Sequence, residues 1–133
     1  MMKELFNGNN LIMDIVVYVL GAIAYGMTEL LYRGHTHWTM LITGGACILT
    51  IYYMWEYISE MPLFISALVG AIIVTCYEFF VGVIVNLKLE WNVWDYSAQP
   101  FNLAGQICLE FTAIWYAMCF VFFGIIKLIR LTD

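Results

Sequence analysis

Four apolar runs, each close to the length that crosses a bilayer, constrain this chain more than any other feature. They cover about Leu11 to Tyr32, Thr39 to Tyr57, Leu63 to Leu87 and Leu103 to Ile129. A helix rises about 1.5 Å per residue, so roughly 20 residues span about 30 Å of hydrocarbon. A helix satisfies its own backbone hydrogen bonds in lipid, and these runs are far longer than the alternating strands of a membrane barrel. The sequence therefore predicts an all-α integral membrane protein, a four-transmembrane-helix antiparallel bundle forming one domain over residues 1–133. Its 64% apolar and 11% charged residues lie far from the balance of a soluble globular domain. Lys3 before the first run suggests a signal peptide, but the run is long, ends in Glu29 and Arg33 and lacks a convincing cleavage site. It is read as a retained helix.

The connections RGHTHW and SEMP are short enough to force neighbouring spans to run antiparallel, and residues 88–102 form the one sizeable loop. Trp91, Trp94 and Tyr96 in that loop, like Trp38, suit the headgroup level. The loop is expected to lie along the membrane surface or to dip into the mouth of the bundle. Residues 1–10, with NGNN, read as a short polar tail. Lys3, Lys127 and Arg130 on the face carrying both termini outnumber Arg33 and Lys88 on the other, which favours cytoplasmic termini. The net charge of −5 includes acids inside the spans, and the absence of a basic patch argues against nucleic-acid binding. Cys47, Cys76, Cys108 and Cys119 form no CxxC pair and read as small packing residues. No Walker motif is present, so this polypeptide is not expected to hydrolyse ATP by itself.

Each span carries one glutamate: Glu29, Glu56, Glu78 and Glu110. Such a charge at a helix centre costs about 2.5–3.5 kcal/mol, so each should face protein or water. Spacings of three and four place each glutamate in a stripe: Ala22, Gly26, Glu29, Arg33; Gly45, Leu49, Tyr52, Glu56; Ala71, Thr75, Glu78, Gly82; and Gln106, Glu110, Ala113, Ala117. Small residues let membrane helices approach closely, which turns these faces inward. From the helical rise, Glu29, Glu110 and Glu78 sit roughly 6, 10 and 14 Å from the end opposite the termini, and Glu56 about 27 Å. Three carboxylates are thus expected to meet in a polar pocket, with the stretch WNVWDYSAQPFNLAGQICLE supplying one wall and a lid.

Plainer roles compete with this pocket. Glu29 and Arg33, four apart on one face, are expected to neutralise each other. Glu78 and Glu110 either carry protons and cations or hold helices together as neutral acids. His35 and His37 could ligate a divalent metal with a nearby glutamate, though HxH in a turn is more often structural. Asp95, Tyr96 and Ser97 could cap a short helix broken by Pro100, with Asn102 capping the fourth span. That leaves Gln106 and Glu110 unexplained.

The segments YRGHTHWTM and WNVWDYSAQPFNLAGQICLEFTAIW, with a glutamate in the span between, resemble the bacterial membrane family named putative ABC transporter type IV permease, or CmpB-like. The resemblance runs from about Glu29 to Trp115. It marks Arg33, Gly34, Trp38, Glu78, Trp94, Asp95, Tyr96, Ser97, Pro100, Asn102, Gly105 and Gln106 as signature positions, and implies a transporter membrane subunit. The chain departs from an ordinary ABC permease in having four short spans and no long coupling loop. The leading expectation is a transport-type protein of the bacterial cytoplasmic membrane, acting as a homo-oligomer or with a partner subunit. Its polar site would be lined by Glu29, Arg33, Glu78, Gln106 and Glu110 and roofed by Asp95, Tyr96, Ser97 and Asn102, taking a small solute, cation or proton. The alternatives are a membrane-embedded metal-dependent enzyme acting on a lipid or other apolar substrate, with His35 and His37 as ligands, and a non-catalytic assembly subunit.

Overall fold

The computed structural model describes residues 11–132, so the tail expected at residues 1–10 lies outside the described residues. The elements are α1 (Leu11–Arg33), α2 (Trp38–Glu60), α3 (Leu63–Gly82), a π-helical turn (Val83–Lys88), strands β1 (Asn102–Leu103) and β2 (Ile107–Cys108), and α4 (Leu109–Thr132). Among the described residues, Leu11–Arg33, Trp38–Glu60, Leu63–Lys88 and Leu109–Leu131 are long and apolar enough to cross a membrane. The expected class is the one found: an all-α membrane protein of the helical-bundle type, with a polar loop before its last helix. The chain divides into two compact units, one ending at Trp55 and the other beginning at Glu56, inside α2.

In the first unit α1 meets α2 through backbone contact. A Cβ on Gly21 would stand 2.8 Å from the Gly44 carbonyl oxygen, and one on Gly44 would stand 2.9 Å from that of Gly21. Only glycine permits this crossing, the small-residue contact that membrane helices use. Gly34, at φ +77°, ends α1 and donates its N–H to the Leu30 carbonyl at 3.0 Å. That left-handed closure lets the chain reverse within four residues. The Tyr18 hydroxyl donates to the Ile42 carbonyl at 3.0 Å, and the Tyr53 hydroxyl donates to Asp14 Oδ2 at 2.6 Å. The outward face of α1, including Ile12, Val19 and Leu31, is exposed and apolar, as lipid contact requires.

In the second unit α3 packs along α4, with Ser66 bonded to Lys127, Gly70 against Cys119 and Glu78 bonded to Trp115, and Ala67, Ala71 and Val74 are also buried on α3. A Cβ on Gly70 would meet Cys119 Sγ at 2.7 Å, so the contact is close here too. At the Pro62 end, Lys127 Nζ donates to the Met61 carbonyl and, at 3.0 Å, to Ser66 Oγ. Ser66 donates in turn to the Ile58 carbonyl at 2.7 Å. The lysine thus ties the end of α4 to carbonyls beside the α2–α3 turn that no helix satisfies.

The fourth helix begins at Leu109 rather than at Leu103, where its apolar run starts. Residues 102–108 form an antiparallel hairpin with Asn102 opposite Cys108 and Leu103 opposite Ile107. Ala104 (φ +55°) and Gly105 (φ +72°) make its turn, closed by Gln106 N–H to the Leu103 carbonyl at 3.0 Å. Two successive positive φ values define the type I′ geometry, which matches the twist of paired strands and cannot continue a helix.

Candidate functional site

The polar stretch before α4 is organised by a residue inside the apolar run of α3. The π-helical turn widens the helix, with Leu89 N–H reaching the Ile84 carbonyl at 2.9 Å and Trp91 N–H the Val85 carbonyl at 2.8 Å. Asn86, at this widening, accepts at Oδ1 from the backbone N–H of Val93 at 2.7 Å and of Trp94 at 3.3 Å. Its amide donates to Gln106 Oε1 at 2.8 Å. Gln106 donates from Nε2 to the Ala104 carbonyl at 2.9 Å, while its own carbonyl accepts from Trp94 Nε1 at 2.9 Å. Trp94 and Gln106 are buried. The knot sits directly on Gly82, where a Cβ would come within 2.6 Å of Gln106 Oε1 and 2.9 Å of Trp94 Cζ2. Gly82 lies one turn beyond Glu78, so a bare stretch of α3 is what lets this cap close beside the glutamate.

The outer residues of the loop hold one another. Asp95 Oδ1 accepts from Ser97 N–H at 2.9 Å and, more closely, from the Ser97 hydroxyl. The hydroxyl, and after it the backbone N–H, holds the Asp95 carboxyl below the usual aspartate range, against a smaller opposing effect of burial. Tyr96 is buried with its ring stacked on Phe111 at 4.6 Å, and its N–H donates to the Gly105 carbonyl at 2.7 Å. Asn102 donates to the carbonyls of Ser97 at 3.2 Å and Gln99 at 2.8 Å, and accepts from Gly105 N–H at 3.0 Å. Asn102 therefore closes the loop and does not cap α4, which starts seven residues later. Asp95, Ser97 and Asn102 are exposed, and together these groups form a hydrogen-bonded cap.

Glu78 is 2% exposed, and its Oε1 accepts from the buried Trp115 indole N–H at 2.9 Å. Thr75, one turn before it, shares a hydroxyl hydrogen bond with Thr112 at 3.0 Å. The face of α4 turned to α3 thus includes Thr112, Trp115, Cys119 and Phe123, spaced three and four apart. Glu110, Ala113 and Ala117, expected to point inward in register with Gln106, are exposed. The physical reason is phase: Gln106 stands in the hairpin, so helical spacing from it does not apply to α4.

In the first unit Glu29 is 5% exposed, and Arg33 Nε lies 2.6 Å from Glu29 Oε2, the pairing that their spacing predicts. His35 Nδ1 bonds the Arg33 carbonyl at 3.1 Å; His37 Nδ1 pairs with Thr39 Oγ1 at 2.7 Å and accepts from Thr39 N–H at 3.3 Å. Among the described residues no three His, Cys, Asp or Glu side chains gather as a metal site requires. Glu56 is exposed on α2.

Asn86 and Trp115 are the residues that spacing did not single out. Asn86 had a signal, being the lone amide within VIVNLK. Trp115 had none, since its partner lies 37 residues away on another helix.

These features define a small polytopic membrane protein whose last two spans bury a carboxylate beneath a hydrogen-bonded cap. The chain belongs to the family described as "Putative ABC-transporter type IV", which it matches over residues 11–132. The match takes in all four candidate spans and the whole cap. No curated protein and no solved structure matches the chain.

Proposed function

We propose that this protein is a transport-type component of the bacterial cytoplasmic membrane in which Glu78 takes up a proton or the cationic group of a solute. The observation that carries this reading is a side chain carboxyl held almost wholly out of solvent inside a candidate membrane span, accepting a hydrogen bond from the Trp115 indole N–H. Acids at such depth are costly and most often mark ion or proton paths. The cap gives that carboxylate a rigid roof, which keeps its surroundings fixed while its charge changes. Four helices enclose little space, so the protein acts as a homodimer or with a partner subunit. Both termini face the cytoplasm, following the distribution of lysine and arginine.

Trp115 supplies the test, because its indole touches the carboxylate. Purified protein in mild detergent should show a pH-dependent change of tryptophan emission that Glu78→Gln and Trp115→Phe each abolish. Emission that does not respond to pH, or that responds equally in Glu78→Gln, would sink the proton-binding role. Native mass spectrometry of the same sample should show an oligomer or a co-purifying partner; a bare monomer would overturn that part of the reading.

A further inference from the structure

The cap has a second face, and its chemistry is the reverse of the first. Phe101 is 81% exposed and holds φ +55° directly after Pro100. Proline followed by a positive φ is the type II turn pattern, whose second central position ordinarily takes Gly or Asn. A phenylalanine there carries backbone strain and an unburied ring together. Its neighbour Leu103 is 57% exposed in β1. Successive strand residues point to opposite faces, and Asn102 is turned into the cap, so Leu103 points away from it. Trp91 and Leu89 are also exposed, and the patch runs on into Leu87 and Leu109 at the ends of the two spans.

We propose that the loop is a preformed interfacial wedge, with Phe101, Leu103 and Trp91 inserted at the headgroup–acyl boundary of the leaflet where α3 ends and α4 begins. Continuity decides the occupant. Leu87 and Leu109 belong to the apolar surface that the spans present to lipid, and the wedge adjoins it, with the exposed Lys88, Glu90, Asn92 and Glu110 beside it supplying the polar groups expected at headgroup level. Tryptophan and large apolar rings gain most at this depth, where one edge is wet and the other apolar. The Asn86–Gln106 knot holds the wedge in shape beforehand, so insertion costs little ordering of the chain.

Collisional labelling tests it. In a cysteine-free background reconstituted into nanodiscs, spin labels are placed by Phe101→Cys and Leu103→Cys, with Ala98→Cys and Ile72→Cys as loop and mid-span references. Labels at 101 and 103 should collide with oxygen and exclude a water-soluble nickel chelate, as Ile72 does, while the Ala98 label meets the chelate. Chelate access at 101 and 103 equal to that at Ala98 would place the loop in water and overturn the proposal. Shielding from both reagents would point to a protein partner and overturn it equally. The unlabelled chain gives an independent reading: brominated lipids should quench its tryptophan fluorescence less after Trp91→Phe, and unchanged quenching contradicts the wedge.

Discussion

Glu78 shows how a single side chain is stabilised where water cannot reach it. The backbone donors of its own helix are taken up within the helix, and a hydrogen bond to Glu78 comes across the interface from Trp115. Trp115→Phe keeps the ring volume nearly intact and removes that donor, leaving a buried acceptor without it. A loss of about 1–3 kcal/mol in unfolding free energy is expected, read from denaturant titration in mixed micelles. Glu78→Gln should cost less, since an amide oxygen still accepts the indole N–H. Asp95 yields a prediction in pH. Because Ser97 holds its folded-state carboxyl below the ordinary value, its contribution to loop stability is complete above the unfolded-state pKa and is lost as pH falls through the folded one. Ser97→Ala should move the Asp95 titration, followed by carboxyl carbon NMR, upward toward the ordinary aspartate range. An unmoved titration would show that Ser97 is not the cause. The burial of Glu78 was legible in the stripe of Ala71, Thr75 and Gly82, because small residues every three or four positions mark the face that packs. The identity of its partner was not, because the spacing pattern of one helix carries no information about which residue of another helix stands opposite.

At the scale of elements, the hairpin and the π-helical turn together make the cap, and both depend on a few backbone positions. Ala104 occupies the first φ-positive site of a type I′ turn, where Asn before Gly is preferred. Ala104→Asn should therefore stabilise the cap by about 0.5–1 kcal/mol, since a left-handed residue with a Cβ costs about 1–2 kcal/mol and Asn bears this best. Gly82→Ala works the other way. Its methyl group would press on Gln106 and Trp94, and a loss of about 1–3 kcal/mol is expected, with the Trp94 environment altered in near-ultraviolet circular dichroism. An unaltered spectrum would mean that the cap does not seat on α3. Hydropathy placed the apolar runs well and misplaced the start of α4, because Leu103, Ile107 and Cys108 are as apolar as helix residues. The turn signal lay in Ala104–Gly105, whose left-handed conformation the pair encodes only weakly.

For the whole molecule, four candidate spans predict that the start of α1 and the end of α4 lie on the same side of the membrane. A carboxy-terminal fusion to green fluorescent protein should fluoresce, and a fusion to alkaline phosphatase at the same point should be inactive. The opposite pair of results would reverse the orientation drawn from Lys127 and Arg130 against Arg33 and Lys88. What the sequence by itself determined was the membrane class, the number of spans, the Glu29–Arg33 pairing and the family, because all of these follow from local length, local spacing or local identity. What only the tertiary structure decided was which polar groups are buried together. It joined Asn86 to Gln106 and Trp94, gave Glu78 to Trp115 and left Glu110 exposed. Hydrogen bonds between elements depend on register and helical phase, and a hairpin of seven residues before α4 was enough to reset that phase for every residue after it.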